Sequence, residues 1–205
     1  MNLWRERFER WFRPVALHSP LSANSITVLA LVLNLVAAVM LGFAHYRPHF
    51  FLIAPVVVGV AGLLDALDGI VARVRNEQSL FGDFLDHLFD RISDSALLAG
   101  YLYGASIRPE LGYPALIAVM MTGYAGTQIE ATYRVRSYEG VGRGEYVLAI
   151  FALPLFTWLL ATIGLLHQRY SGLTLPEWLI ALVTVVAIYT VYSRIARVPD
   201  QDGDH

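Results

Sequence analysis

The chain has 205 residues, of which 56% are hydrophobic and 16% charged, and its formal charge at pH 7 is −2. It contains no cysteine, which excludes disulfides and thiolate metal ligands, and its 15 Lys and Arg residues are all arginine, which excludes a lysine general base or Schiff base. A mean hydropathy of +0.52 is typical of a polytopic membrane protein and argues against a soluble domain.

The N-terminal segment, residues 1–20, is expected to form an amphipathic helix in the membrane interface. Its apolar residues recur at helical spacing among arginines and glutamates: Leu3, Trp4, Phe8, Trp11 and Phe12. This pattern is typical of interfacial helices. A cytoplasmic helix packed on the rest of the protein is an equally good interpretation.

Six further segments are predicted to be membrane-spanning helices, because each is largely apolar and most reach the roughly 20 residues that cross a bilayer. They lie at residues 26–43, 49–72, 84–103, 113–133, 146–166 and 175–192. The predicted fold is therefore all-α. A six-helix transmembrane domain over residues 21–198 carries every candidate site residue, and a disordered tail follows over 199–205.

The second and third segments carry four aspartates at spacings of three and four: Asp65, Asp68, Asp86 and Asp90. Residues at these spacings share one helix face, so each helix presents an acidic pair. An ionised carboxylate inside a bilayer costs at least about 2.5 kcal/mol, which packing alone does not offset. Divalent cations that prefer oxygen ligands would neutralise the pairs. We therefore expect a metal site within the membrane.

Small and basic residues flank the acids. Gly69, Ala72 and Gly82 would let a ligand or a facing helix approach the backbone closely. Arg73 lies near the end of its helix, where a guanidinium group can hold phosphate oxygens. Together with metal ions, these residues indicate a site that binds a pyrophosphate and supports displacement at phosphorus.

The complete run resembles the signature of the CDP-alcohol phosphatidyltransferases and matches it at every defined position: Asp65-x2-Asp68-Gly69-x2-Ala72-Arg73-x8-Gly82-x3-Asp86-x3-Asp90. The resemblance implies a transferase of phospholipid biosynthesis. In that reaction a hydroxyl of a small acceptor attacks the lipid-side phosphorus of a CDP-linked lipid, and CMP leaves. The resemblance also implies two Mg²⁺ or Mn²⁺ ions held by Asp65, Asp68, Asp86 and Asp90. Asp90 would in addition be the catalytic base that takes the acceptor's proton.

The same resemblance assigns the CDP group to residues between and beside the acids: Asp68, Gly69, Ala72, Arg73, Ser79 and Gly82. Ser79 has a second interpretation as the N-cap of the third span. Both roles can hold, because the free amides at a helix start also favour phosphate. Further along, Asp94 follows Arg91 by three residues, which predicts a buried ion pair. A packing role is expected for His87.

Four arginines are the predicted ligands of an acceptor phosphate: Arg134, Arg136, Arg143 and Arg194. Family members that use a phosphorylated polyol have basic residues in similar places, and residues 142–145 resemble their Ala-Glu-Arg-x-Glu-Arg type of segment. However, the glutamate before the arginine is missing, and the usual Ser-Tyr-x-x-Ala-Arg-Ala-Glu run is altered over residues 132–139. The acceptor therefore stays open between inositol phosphate or glycerol phosphate and an unphosphorylated alcohol such as serine or inositol. A solvated loop is the other interpretation of these arginines.

The distribution of arginines predicts the orientation. With a cytoplasmic N-terminus, eleven arginines fall on the cytoplasmic side and three on the opposite side, with Arg91 inside a span. Both termini and the active site of this multi-pass cell-membrane protein then face the cytoplasm. The expected partners are a CDP-linked lipid, a small alcohol acceptor and membrane lipids, with no nucleic acid. The family resemblance suggests a homodimer.

Two other functions use intramembrane acids. A prenyltransferase also binds pyrophosphate through aspartates, but its two motifs lie far apart in sequence, whereas here all four acids fall in one run. A divalent-cation transporter or a non-catalytic lipid-binding protein would also carry an acidic site. An arginine such as Arg73 at the mouth of a cation pathway would serve no purpose there.

Overall fold

The computed structural model describes residues 12–14, 16–133 and 143–197. Within these ranges the chain is helical apart from connecting turns and one short hairpin. The helices are α1 (Ala23–Phe43), α2 (Phe50–Arg75), α3 (Leu80–Gly104), α4 (Pro109–Tyr133), α5 (Arg143–Thr162) and α6 (Leu175–Ile195). Strands β1 (Arg169–Tyr170) and β2 (Leu173–Thr174) pair antiparallel just before α6. The all-α prediction is confirmed.

Each of the six predicted spans overlaps one of these helices. Over the described ranges, three helices are long and apolar enough to cross a membrane: α1, α2 and α6. The predicted fifth span was wrong at its end, because α5 stops at Thr162 and Gly164 turns the chain with a φ of 75°. Residues 12–14 and 16–18 are helical. Residues 19 and 20 are described and are not helical, so the predicted N-terminal helix was wrong at its end. Residues 1–11 and 15 of that prediction, and the tail over 199–205, lie outside the described residues.

Side-chain caps explain where three helices begin. Ser22 accepts a hydrogen bond from the Ser25 amide at the start of α1, and Ser79 does the same for the Gly82 amide at the start of α3. At α6, Thr174 and Glu177 form a reciprocal capping box. These contacts satisfy amides that a helix start leaves without partners in its own backbone.

The backbones of α1 and α3 are in close contact. A Cβ atom on Gly100 would collide with the carbonyl oxygen of Ala38, and one on Gly104 would collide with the carbonyl oxygen of Leu41. Helix α1 packs against both α2 and α3, α4 packs against α6, and contacts of α2 with α5 and of α3 with α4 join these groups. The close approach of α1 brings its first turns beside the aspartates of α2 and α3.

Polar contacts fix the start of α1 against the end of α2. The Ala23 amide donates to the Glu77 carboxylate at 3.0 Å, and the Arg75 guanidinium donates to the Leu21 carbonyl oxygen at 3.1 Å. Arg75 also pairs with Glu77 at 3.7 Å. The loop that follows α2 is thereby held against the N-terminal end of α1.

Large apolar side chains are exposed along the helices, for example Val39 at 59%, Val56 at 64% and Leu182 at 58%. Exposed apolar surface of this extent is unfavourable in water and favourable in lipid. Together with the three apolar helices, it indicates an integral membrane protein.

Candidate active site

The two acidic pairs meet between α2 and α3. The carboxylates of Asp65 on α2 and Asp86 on α3 are close enough to Asp68 to repel its charge. Asp68 is only 8% exposed, and the hydroxyl of Thr27 on α1 lies beside it. Its Oδ2 atom is buried and has no hydrogen-bond partner in the part of the chain that the structure describes. A buried carboxylate oxygen in such surroundings is strongly unfavourable unless a cation accompanies it.

Three side chains of α3 can contribute to a metal site. Asp86, His87 and Asp90 each offer one ligand atom, and these atoms lie within 4.8 Å of one another. His87, for which a packing role was expected, therefore has a second possible use; its Nε2 also lies 3.9 Å from Asp83. Carboxylate oxygens suit Mg²⁺ and Mn²⁺. The buried oxygen of Asp68 and this donor set fit a divalent cation.

A cavity of about 270 Å³ lies between the start of α1, the end of α2 and the start of α3. It is lined by every residue predicted to bind CDP: Asp68, Gly69, Ala72, Arg73, Ser79 and Gly82. A Cβ on Gly69 would lie 3.4 Å from the Arg73 guanidinium, and a Cβ on Gly82 would lie 3.2 Å from the Asn24 and Ser79 oxygens. Larger residues would therefore crowd the polar groups that face this cavity.

Ser79 combines the two roles considered for it. Its hydroxyl accepts a hydrogen bond of 3.0 Å from the Gly82 amide, which confirms the N-cap role. The same residue lines the cavity, at the helix end where amides favour phosphate. Its contact with a ligand stays a prediction.

Sequence reasoning missed the contribution of α1. Asn24 and Thr27 line the same cavity, as do Glu77 and Gln78 from the loop after α2. The available signal was the spacing of Asn24 and Thr27, which places two polar residues on one face of an otherwise apolar helix. The signature motif does not include the α1 residues that line this cavity.

A larger cavity, of about 540 Å³, lies on the other side of the aspartates. Asp65 and Asp90 face it, whereas Asp68 and Asp86 face the smaller cavity. Its polar part also includes Arg91, Asp94, Thr127, Glu130 and Arg194. Its apolar part includes Leu41, Val58, Leu97, Tyr101 and Leu153. The four acids thus separate two cavities of different character.

Of the four arginines predicted to bind an acceptor phosphate, Arg194 is described, and it lines this larger cavity. Its Nη1 donates to the Thr122 carbonyl oxygen, while its buried Nε has no acceptor among the described residues. Arg134 and Arg136 lie outside the described residues. Arg143 begins α5, but its side chain is outside them as well.

The predicted pairing of Arg91 with Asp94 on α3 is confirmed, but the pair is half-buried, whereas a buried pair was predicted. Arg91 and Asp94 approach to 3.2 Å, and both line the larger cavity. The guanidinium of Arg91 lies directly on Gly123 of α4, where any side chain would collide with it. Its buried Nε, like that of Arg194, finds no acceptor within the described ranges.

A family model described as CDP-alcohol phosphatidyltransferase matches residues 21–192, which include every residue that lines the two cavities except Arg194. The chain belongs to this family. It is therefore an enzyme that transfers a substituted phosphate group. Membership of this family argues against the prenyltransferase and transporter interpretations.

This CDP-alcohol phosphatidyltransferase is 31% identical to the archaetidylinositol phosphate synthase of Pyrococcus horikoshii over 137 residues, which cover 66% of the chain and 70% of the relative. It is also 31% identical to the inner membrane protein YnbA of Escherichia coli over 184 residues, 86% of the chain and 84% of the relative.

The fold matches a crystal structure of the phosphatidylinositol phosphate synthase of Mycobacterium tuberculosis with CDP-DAG bound. The TM-score is 0.72 at 22% identity, over 96% of this chain and 98% of the other. The same mycobacterial enzyme has also been solved in complex with manganese and citrate, with a TM-score of 0.68 at 22% identity over 94% and 92% of the two chains.

Proposed function

We propose that this CDP-alcohol phosphatidyltransferase transfers the phosphatidyl-type group of a CDP-linked lipid to a hydroxyl of inositol phosphate, with release of CMP. The observation that carries the proposal is the position of the four aspartates between two cavities. One cavity is built from the signature residues, and the other contains Arg194 and the base candidate Asp90. The names of the relatives favour inositol phosphate over glycerol phosphate as the acceptor.

The smaller cavity is the proposed site of the CDP group. Arg73 would hold the pyrophosphate oxygens, and the amides at the start of α3 would add donors beside Ser79. Gly69 and Gly82 leave room for the phosphates against the backbone. Asn24 supplies a neutral polar group to the same wall.

The four aspartates are the proposed metal ligands. Asp65, Asp68, Asp86 and Asp90 would hold two Mg²⁺ or Mn²⁺ ions, which when bound supply positive charge against the pyrophosphate and the leaving CMP. The crystal structure of the mycobacterial enzyme with manganese supports this choice of ions. The aspartates in turn fix the position of the donor phosphates relative to the larger cavity.

The larger cavity is the proposed acceptor site. Asp90 faces it and would take the proton of the attacking hydroxyl. Arg194 would pair with the acceptor phosphate, and Glu130 and Thr127 are placed to hydrogen-bond polyol hydroxyls. Arg134, Arg136 and Arg143, which follow α4 in sequence, are proposed to complete the anion site.

The arrangement in the membrane is part of the proposal. All six helices would span the bilayer as one catalytic domain over residues 21–198, preceded by an interfacial helix over 1–20 and followed by a disordered tail over 199–205. The arginine distribution supports cytoplasmic termini and a cytoplasmic active site. A homodimer is proposed from family resemblance.

The decisive experiment measures CMP release from CDP-diacylglycerol by the detergent-purified protein with Mg²⁺. The acceptor panel is inositol phosphate, glycerol 3-phosphate, serine and free inositol. Turnover with inositol phosphate that is lost in Asp90→Asn but kept in Glu110→Gln supports the proposal, because Glu110 is an exposed carboxylate at the start of α4. No turnover with any acceptor would reject the reaction for this lipid. A CDP-archaeol analogue then tests the ether-linked class.

One observation favours a second acceptor class. Glu130 places an acidic group in the larger cavity, and this group would suit the amine of serine or the hydroxyls of free inositol. Turnover with serine or free inositol, but not with inositol phosphate, would establish an unphosphorylated acceptor.

A further inference from the structure

We infer that Arg91 binds the acceptor's phosphate together with Arg194, and that Gly123 and Gly126 of α4 form the surface on which the two guanidinium groups lie. This inference rests on the proposed function and names a residue that the signature does not contain. The ligand class is a phosphate monoester carried by a small polyol.

The two arginines lie against neighbouring glycines of α4. A Cβ on Gly123 would lie 2.7 Å from Arg91 Cζ and 2.8 Å from Arg91 Cδ, and a Cβ on Gly126 would lie 2.7 Å from Arg194 Nη1. Positions three residues apart on a helix are separated by roughly 5–6 Å at Cβ. Two arginine side chains, from α3 and α6, therefore lie against the same short stretch of α4.

This arrangement is unfavourable without a ligand in three respects. Both guanidinium groups are cationic and line one cavity whose wall is partly apolar, so their charges repel, although Asp94 offsets part of the charge of Arg91. Each glycine inside a helix costs about 1 kcal/mol relative to alanine. Each buried Nε lacks an acceptor in the described part of the chain, although a guanidinium group has five N–H donors to satisfy. A phosphate between the two groups would remove the repulsion and supply acceptors in bidentate geometry.

Asp94 acts as a positioning residue for Arg91. Its carboxylate lies 3.2 Å from the guanidinium and holds one end of it, while Gly123 supports the other face. Because Arg91 directly follows Asp90 on α3, a phosphate held by Arg91 is at a fixed distance from the base. Binding by Arg91 thus sets which hydroxyl of the polyol can reach Asp90.

The test compares Michaelis constants for the two substrates. We expect Arg91→Gln to raise KM for inositol phosphate roughly tenfold or more, because a charged hydrogen-bonding pair is lost, while KM for CDP-diacylglycerol stays near that of the wild type. Arg91→Lys keeps the charge but loses the planar, forked guanidinium group. Its KM for inositol phosphate should therefore lie between those of the wild type and Arg91→Gln. An unchanged acceptor KM in Arg91→Gln, or an equal rise in both constants, overturns the inference.

Gly123→Ala tests the contact between Arg91 and the α4 backbone without removing the arginine. The added methyl group would displace Arg91, so the acceptor KM should rise while CDP-lipid binding is kept. The matched control on α4 is Gly112→Ala, whose Cβ would make an ordinary contact of 3.5 Å with Leu102. If Gly123→Ala and the control have the same KM for the acceptor, Gly123 does not support Arg91 in acceptor binding.

A binding measurement keeps the inference testable if turnover is absent. With CDP-diacylglycerol present to occupy the phosphate-binding groups of the smaller cavity, inorganic phosphate should raise the thermal midpoint of the wild-type protein in detergent, and this shift should be lost in Arg91→Gln. A phosphate shift that persists in Arg91→Gln, or that is absent from the wild type, overturns the inference. Wild-type turnover is measured separately. If it is absent, the proposed function fails, whereas the phosphate shift alone decides the role of Arg91.

Discussion

The amide of Ala23, at the start of α1, donates a hydrogen bond of 3.0 Å to the carboxylate of Glu77, in the loop after α2. Glu77 also pairs with Arg75. This contact holds the α1 wall of the smaller cavity against the signature residues, so residues far apart in sequence share one binding surface.

Replacing Glu77 should therefore weaken donor binding. We expect Glu77→Ala to raise KM for the CDP-lipid severalfold, because about 1 kcal/mol of a part-exposed charged hydrogen bond is lost. Glu77→Gln keeps an acceptor oxygen and should be milder. Steady-state kinetics at saturating acceptor measure the difference, and a Glu77→Ala enzyme with the wild-type KM for the CDP-lipid would show that the contact does not shape the cavity.

Asp68→Asn is expected to separate stability from activity. The amide is nearly isosteric but uncharged, so it relieves repulsion from Asp65 and Asp86. In EDTA the variant should unfold at a higher temperature than the wild type, and added Mn²⁺ should stabilise the wild type more than the variant. Activity should be almost abolished. Equal stabilisation of both proteins by Mn²⁺ would remove Asp68 from the metal ligands.

The two roles of Ser79 can be separated by a pair of substitutions. Ser79→Ala removes the cap of α3 and should cost about 1 kcal/mol of folding free energy. Ser79→Asp keeps a capping oxygen and should retain the thermal midpoint, while its negative charge should weaken binding of the CDP-lipid. Thermal unfolding and CDP-lipid affinity are measured on both variants. If Ser79→Asp binds the lipid normally, Ser79 is a cap alone.

Gly100→Ala tests the close contact of α1 with α3. The new methyl group would collide with the Ala38 backbone, which should cost about 1–3 kcal/mol through forced separation of the helices. Gly42→Ala on α1 is the control, because its Cβ would lie 4.0 Å from Tyr103. The control should gain up to about 1 kcal/mol from helix propensity. If Gly100→Ala has the free energy of unfolding of the wild type, α1 and α3 do not pack closely at Gly100.

The aspartate half of the candidate site could be predicted because it lies in one short run of sequence. Spacings of three and four place Asp65 with Asp68 and Asp86 with Asp90, whatever else the helices contact. The same rule predicted the pairing of Arg91 with Asp94, and the structure confirms it. Local periodicity determines such relationships without knowledge of the tertiary fold.

The remaining walls depend on how distant helices pack, and local periodicity contains no such information. Asn24 reaches the smaller cavity because α1 contacts α3, and Arg91 and Arg194 line one cavity because α4 packs against both α3 and α6. The hairpin before α6 was also missed. Its Ser171 and Gly172 adopt left-handed backbone, and such a turn is a weak signal in a region otherwise judged by hydropathy.

The separation of the two cavities has an evolutionary consequence. The proposed donor cavity is lined by α1, α2, α3 and the loop between α2 and α3, whereas α4 and α6 contribute polar groups to the proposed acceptor cavity alone. Substitutions on α4 and α6 can therefore change which headgroup is attached while leaving recognition of the activated lipid intact. One scaffold of this kind can diversify the lipids of a membrane by altering half of its site.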